Sequence, residues 1–206
     1  MMNISFLTIF VALRRARAPI LWIGLTYMLG VIAGAVMVHA HHVVALRYRD
    51  RLVGRALASD PAAVALKRGL PLRAALLDFA GNLGLGAVPS TLMGLPVAPL
   101  FPFAAYRGWV GGIVSVDGRH ESRLRIWREG IYYIGVLLLQ LIPYSLAGGA
   151  GIRLGLAVLF PEGRYGYPAS ERWVGFPAEG VRDVVRIYAL LVPLFLVASL
   201  VEFLAR

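Results

Sequence analysis

No cysteine occurs in the chain, so disulfides, thiolate metal sites and thiol nucleophiles are excluded, and the redox compartment is left open. Lysine is nearly absent: of 21 Lys+Arg residues only Lys67 is not arginine. Charge of either sign is scarce, at 16% of residues, against about 25% in a soluble domain. No HExxH, GxSxG, phosphate-binding loop or dinucleotide fingerprint occurs, so the common soluble-enzyme templates find no support and no cofactor is implied.

What is present in excess is apolar surface. Hydrophobic residues make up 59% of the chain and the mean hydropathy is +0.71. They fall in runs of about 18 to 31 residues nearly free of charge, the pattern that a bilayer core selects because it rejects ions and demands internally satisfied backbone. These features predict an all-α fold: a polytopic transmembrane helical bundle, one domain over 1–206, with about five or six spans. Little length remains for a separate soluble catalytic domain. The net charge of +10 comes from arginines lying between the apolar runs, at the level of anionic lipid headgroups, so no nucleic-acid partner is needed to explain it.

Along the chain, Phe6, Ile9, Phe10 and Leu13 precede Arg14, Arg15 and Arg17, which predicts a short interfacial helix over 1–17. A span follows over 19–38, and 39–73 is a basic, helix-permitting connection along the membrane surface, interrupted at Asp60-Pro61. Spans over 74–93 and 97–116 contain Pro89, Pro99 and Pro102, where broken helices are expected. A second basic loop covers 117–129. The next run, 130–160, would be about 46 Å as a straight helix against a core of about 30 Å, and Pro143 with Gly148, Gly149 and Gly151 marks a broken or re-entrant segment near 143–155. A Gly/Pro/aromatic loop over 161–182 leads to a last span over 184–204. Eleven Lys/Arg in the two basic loops, against three near the N-terminus, place those loops in the cytoplasm and the N-terminus outside.

Six polar side chains fall inside or at the margins of the apolar runs: Asp78, Asn82, Arg107, Gln140, Arg153 and Glu202. Ionisable groups there are costly and face protein or water, which makes each a candidate site. Asp78 and Asn82 share a helix face, and Asp78 and Glu202 are the acids available to Arg107 and Arg153. The pairs Gly30/Gly34, Gly108/Gly112 and Gly151/Gly155 have the four-residue spacing of close helix contacts. His39 and His42, with His120, form a weak metal-ligand constellation, outweighed by the reading as interfacial histidines.

Asn82, Gly94, Arg107-Gly108, Gly111-Gly112, the stretch Ala147 to Gly155 and the closing Leu200 to Leu204 together resemble the stage II sporulation protein M family. The resemblance runs over 78–206 and implies a polytopic membrane protein without catalytic activity of its own; the founding members anchor a peptidoglycan-remodelling complex in sporulating bacteria. Members often carry Pro-His-Gly-x-x-Glu before the Ala/Gly-rich stretch, where this chain has Val136 and Leu137 for His and Gly and Gln140 for Glu. The expected function is a non-enzymatic scaffold or anchor in a prokaryotic cytoplasmic membrane, partnered by lipid and by another protein or a second copy. The competing expectation is a transport component with a polar site at broken helices. Convergence of the polar residues on one wet cavity favours transport; separate, individually paired groups favour the scaffold.

Overall fold

The computed structural model describes residues 5–167 and 171–205. Residues 1–4 of the expected interfacial helix and 168–170 of the aromatic loop lie outside the described residues. Ser5 starts the first helix: its hydroxyl accepts the Thr8 N–H at 3.4 Å and Thr8 Oγ1 accepts the Ser5 N–H at 3.0 Å, a reciprocal cap. Helix α1 then runs unbroken over Phe6–His39, with Pro19 inside it. The expectation of a separate surface helix over 1–17 is therefore corrected. Ala12 and Ala16 are buried in the main core, so one face of this segment packs against the bundle as part of the same helix.

Helices α2 (Val43–Ser59) and α3 (Pro61–Lys67) form the basic connection. Asp60 separates them: its carboxylate accepts the N–H groups of Ala62 and Ala63 at 2.9 and 3.0 Å, while Pro61 occupies the first helical position, where no donor is lost. Next come α4 (Pro71–Gly81), a π-helical stretch (Asn82–Ala87) and α5 (Val88–Gly94), an uninterrupted helical run. The widened turn lies just before Pro89, which has no N–H to donate back and whose ring would crowd an ordinary α-turn. A tight connection through Val97, held at φ +68°, leads to α6 (Leu100–Ile113). With 14 residues, about 21 Å, α6 is shorter than the span expected over 97–116.

Helix α7 (Trp127–Leu159) is continuous over 33 residues, which corrects the expected break near 143–155. Its glycines serve contact. A Cβ on Gly151 or Gly155 would collide with the carbonyls of Thr91 and Leu95, and one on Gly149 with the backbone of Ile20, so the end of α5 and the middle of α1 lie directly against α7 there. The remaining loop carries a hairpin of β1 (Arg172–Trp173) and β2 (Phe176–Pro177) before α8 (Ala178–Leu204), which starts earlier than the expected 184.

Helices α1, α7 and α8 are long and apolar enough to cross a membrane. The Pro71–Gly94 run packs against α7 and α8, and α6 against α1. The bundle thus has an arginine end, where α1 and α8 begin and α7 stops, and a histidine end at His39 with α2, α3 and the 117–126 loop. Ile23, Leu100, Ile152, Leu191 and Phe195 fill the main core, and Val38, Ala45, Ile113 and Val116 a smaller one at the histidine end.

Candidate functional site

The α1/α6 seam is built from the two glycine pairs. A Cβ on Gly30 would lie 2.9 Å from the Trp109 nitrogen and one on Gly112 2.7 Å from that of Ala35, while Gly34 and Gly108 press on the carbonyls of Trp109 and Tyr27. This close approach puts Arg107, on α6, within reach of α7. Its Nη2 donates to the Tyr144 hydroxyl at 2.6 Å, and its guanidinium lies 3.9 Å from the centre of the Tyr144 ring.

From Tyr144 a single donor chain crosses the bundle. Tyr144 donates to Asn82 Oδ1, Asn82 Nδ2 donates to Asp78 at 2.8 Å, and Ser199 donates to the same Asp78 oxygen at 2.7 Å. The π-helical stretch makes this fit: it carries Asn82 at its start and Gly86 against the Tyr144 ring, where a Cβ would lie 2.6 Å from the ring carbon Cε1. Stacking on Tyr27 and an edge contact with Phe195 fix the ring. Arg107 and Asp78 therefore form a charge-separated pair linked by neutral groups. No direct ion pair joins them among the described residues.

Gln140 and Glu202 form a second unit, with Nε2 donating to the carboxylate at 2.6 Å, and Tyr132 donates to the Glu202 carbonyl. Arg107 and Gln140 line one cavity of about 300 Å³ between α6 and α7, which adjoins a second of about 230 Å³ that Gln140 shares with Glu202 and Arg123.

Arg153 departs from expectation. It meets neither Asp78 nor Glu202; only 5% exposed, it donates to the Tyr165 carbonyl and lies 4.5 Å from the centre of the Tyr167 ring. A hydrophobic run with one charge had suggested an acid in the membrane as its partner, but the charge sits at the arginine end, where an aromatic loop covers it. Tyr167 in turn donates to Asp183 at 2.9 Å. Asp183, 3% exposed, also accepts from Arg15 at 3.0 Å and Arg186 at 2.8 Å, and Glu179 holds Arg186 from the other side at 2.6 Å. Burial raises the Tyr167 hydroxyl above its ordinary range and the Asp183 carboxylate pushes it further, so Tyr167 stays a donor.

No family model, curated protein or solved structure matches the chain. The site therefore rests on its own geometry. The histidines do not converge: His39 Nδ1 donates to the Ala35 carbonyl and Nε2 meets Ser122, both at 2.8 Å, while His120 lies 2.9 Å from Asp50 and His42 precedes α2. Among the described residues no group of three His, Asp or Glu side chains is placed to hold a metal. Burial works to raise the Asp50 carboxyl, but hydrogen bonds from Arg49 and His120 outweigh it and hold it below the usual carboxylate range. These bonds dock the 117–122 loop on α2.

Sequence reasoning missed Asp183, Arg186, Tyr144 and Tyr167. The first two stand at the margin of a span, where charge reads as a boundary. The tyrosines are counted among the hydrophobic residues in the composition although their hydroxyls carry the networks.

Proposed function

We propose that the chain is a multi-pass protein of a prokaryotic cytoplasmic membrane, acting as a non-enzymatic scaffold or anchor subunit of an envelope complex. In this reading the Pro71–Gly94 run and α6 lie within the bilayer beside α1, α7 and α8, giving five embedded segments, with the two basic loops on the cytoplasmic side. One observation carries it: the buried polar groups find hydrogen-bond partners in one another, Arg107 reaching Asp78 through Tyr144 and Asn82, Gln140 meeting Glu202, and Tyr167 meeting Asp183, each set tying different helices. Such satisfied clusters lock helix register, which suits a body that presents surfaces to a partner. Supporting it, α1 extends past its arginines with Phe6, Leu7 and Phe10 exposed, Phe6 by 87%. The resemblance to the stage II sporulation protein M family points the same way.

A second reading, a transport component, draws on Arg107 and Gln140 opening on the same cavity. Purification from native membranes in gentle detergent, with mass spectrometry of stoichiometric co-eluting proteins, separates the two. A peptidoglycan-modifying enzyme supports the scaffold and an ATPase supports transport. Elution alone overturns the dedicated-partner reading.

A further inference from the structure

At the arginine end a cavity of about 380 Å³ is lined by Arg14, Arg15, Arg17, Arg153 and Arg164, together with Tyr165, Val11 and Ala18, and among the described residues by no carboxylate. The convergence has a simple origin. Val11, Arg14, Arg15 and Ala18 share one face of α1 at i, i+3, i+4 and i+7; Arg153 arrives from the closing turns of α7, and Arg164 from the loop that follows. Arg15 is largely neutralised, since its guanidinium lies 3.0 Å from Asp183 and 3.5 Å from Glu179. The other four are not: among the described residues no carboxylate stands within 4 Å of Arg14, Arg17, Arg153 or Arg164.

Arg153 makes the arrangement informative. Its guanidinium is almost wholly buried, is held by a neutral carbonyl and two tyrosine rings, and lines a space shared with four further arginines, three of them without a carboxylate within 4 Å among the described residues. Such repulsion is relieved by an anion with several acceptor oxygens; guanidinium forks pair bidentately with phosphate, which offers more acceptor oxygens to several forks at once than a single carboxylate does. The level also fits: Arg17 immediately precedes the apolar part of α1, and Tyr165, Tyr167 and Trp173 are residues of the headgroup layer.

We propose that this cavity is a binding site for a phosphate group, carried by an anionic membrane lipid or by a soluble phosphate compound. The assignment is independent of whether the bundle acts as scaffold or transporter.

The test uses the full chain, delipidated in detergent. Native mass spectrometry with added phosphatidic acid, phosphatidylglycerol or phosphatidylcholine reads the lipid arm, and thermal shift with inorganic phosphate and pyrophosphate reads the soluble arm. The variant Arg14→Gln/Arg17→Gln/Arg164→Gln changes three exposed side chains without carboxylate partners, and an unchanged elution profile establishes that it folds. The control, Arg55→Gln/Arg68→Gln/Arg73→Gln, removes as much charge at the histidine end.

Retention of phosphatidic acid as a one-to-one adduct, weakened about tenfold or more in the cavity variant and unchanged in the control, supports the site with a lipid source. A saturable shift with pyrophosphate, lost in the cavity variant alone, supports it with a soluble source. Equal loss in both variants, or no binding in either arm, overturns it.

Discussion

Asp183→Asn tests the cluster at the arginine end most directly, because the replacement keeps shape and one acceptor oxygen while removing the charge. In the native protein the carboxylate accepts from Arg15 at 3.0 Å, Arg186 at 2.8 Å and Tyr167 at 2.9 Å while almost wholly buried. Removing one partner of a buried ion pair costs about 3–5 kcal/mol when the other charge is left uncompensated. Here Glu179 still holds Arg186 at 2.6 Å and Arg15 is partly solvated, so the loss falls to about 2–3 kcal/mol. At about 2–4 °C per kcal/mol for a chain of this size, the midpoint drops by about 5–10 °C. Intrinsic tryptophan fluorescence, with size-exclusion after heating in detergent, reads the change at one fixed scan rate. Glu179→Gln, at a partly exposed site, costs about 1 kcal/mol or less. A midpoint for Asp183→Asn within about 1 °C of the native protein, or a larger fall for Glu179→Gln, refutes the assignment of Asp183 as the centre of this cluster.

Tyr144→Phe keeps the ring contacts but removes the hydroxyl joining Arg107 to Asn82; it costs about 1–3 kcal/mol, visible in the same melt. Gly112→Ala forces α6 away from Val31 and Ala35 and costs about 1–3 kcal/mol, whereas Gly135→Ala, with nothing within 4 Å, gains up to about 1 kcal/mol; equal effects would contradict the close α1/α6 seam. Val174, 97% exposed at φ +50° and followed by Gly175 at φ +85°, occupies a hairpin tip that suits asparagine; Val174→Asn stabilises the hairpin by about 1 kcal/mol and slows tryptic cleavage at Arg172. Because the folded Asp50 carboxyl is held below its unfolded value, its contribution is present above about pH 4 and is lost as pH falls through the lower folded value; hydrogen exchange in the 117–122 loop should accelerate there, and Asp50→Asn should reduce that dependence, leaving the part that comes from Asp117, whose carboxylate is held low by the Glu121 and Arg119 N–H groups of the same loop.

The long apolar runs made α1, α7 and α8 legible from composition, since nothing but a helix satisfies the backbone over that length in lipid. The continuity of α7 was not legible. Pro143 and three nearby glycines are strong break signals in isolation, but here Gly149, Gly151 and Gly155 admit the backbones of Ile20, Thr91 and Leu95, and this packing holds the helix through a proline that forgoes one hydrogen bond. Glycine spacing could be read, yet which helix each pair meets depends on topology. The same limit applied to Arg107, Gln140 and Arg153: each was visible as a polar residue needing company, while Tyr144, Glu202 and Tyr165 as their respective partners emerged only in three dimensions.

The unbroken α1 also sets a length scale. Its arginine end is tied to α8 through Asp183, and its far end to the 117–126 loop through the bond between His39 and Ser122, so it cannot slide along its own axis. From Arg17 to His39 the helix rises about 33 Å, close to the hydrocarbon thickness of a sterol-rich plasma membrane and a few ångströms more than an average bilayer. In thinner bilayers this mismatch must be absorbed by tilting the bundle as a unit or by thickening the surrounding lipid. Reconstitution into bilayers of graded acyl length should therefore give a stability maximum at one thickness.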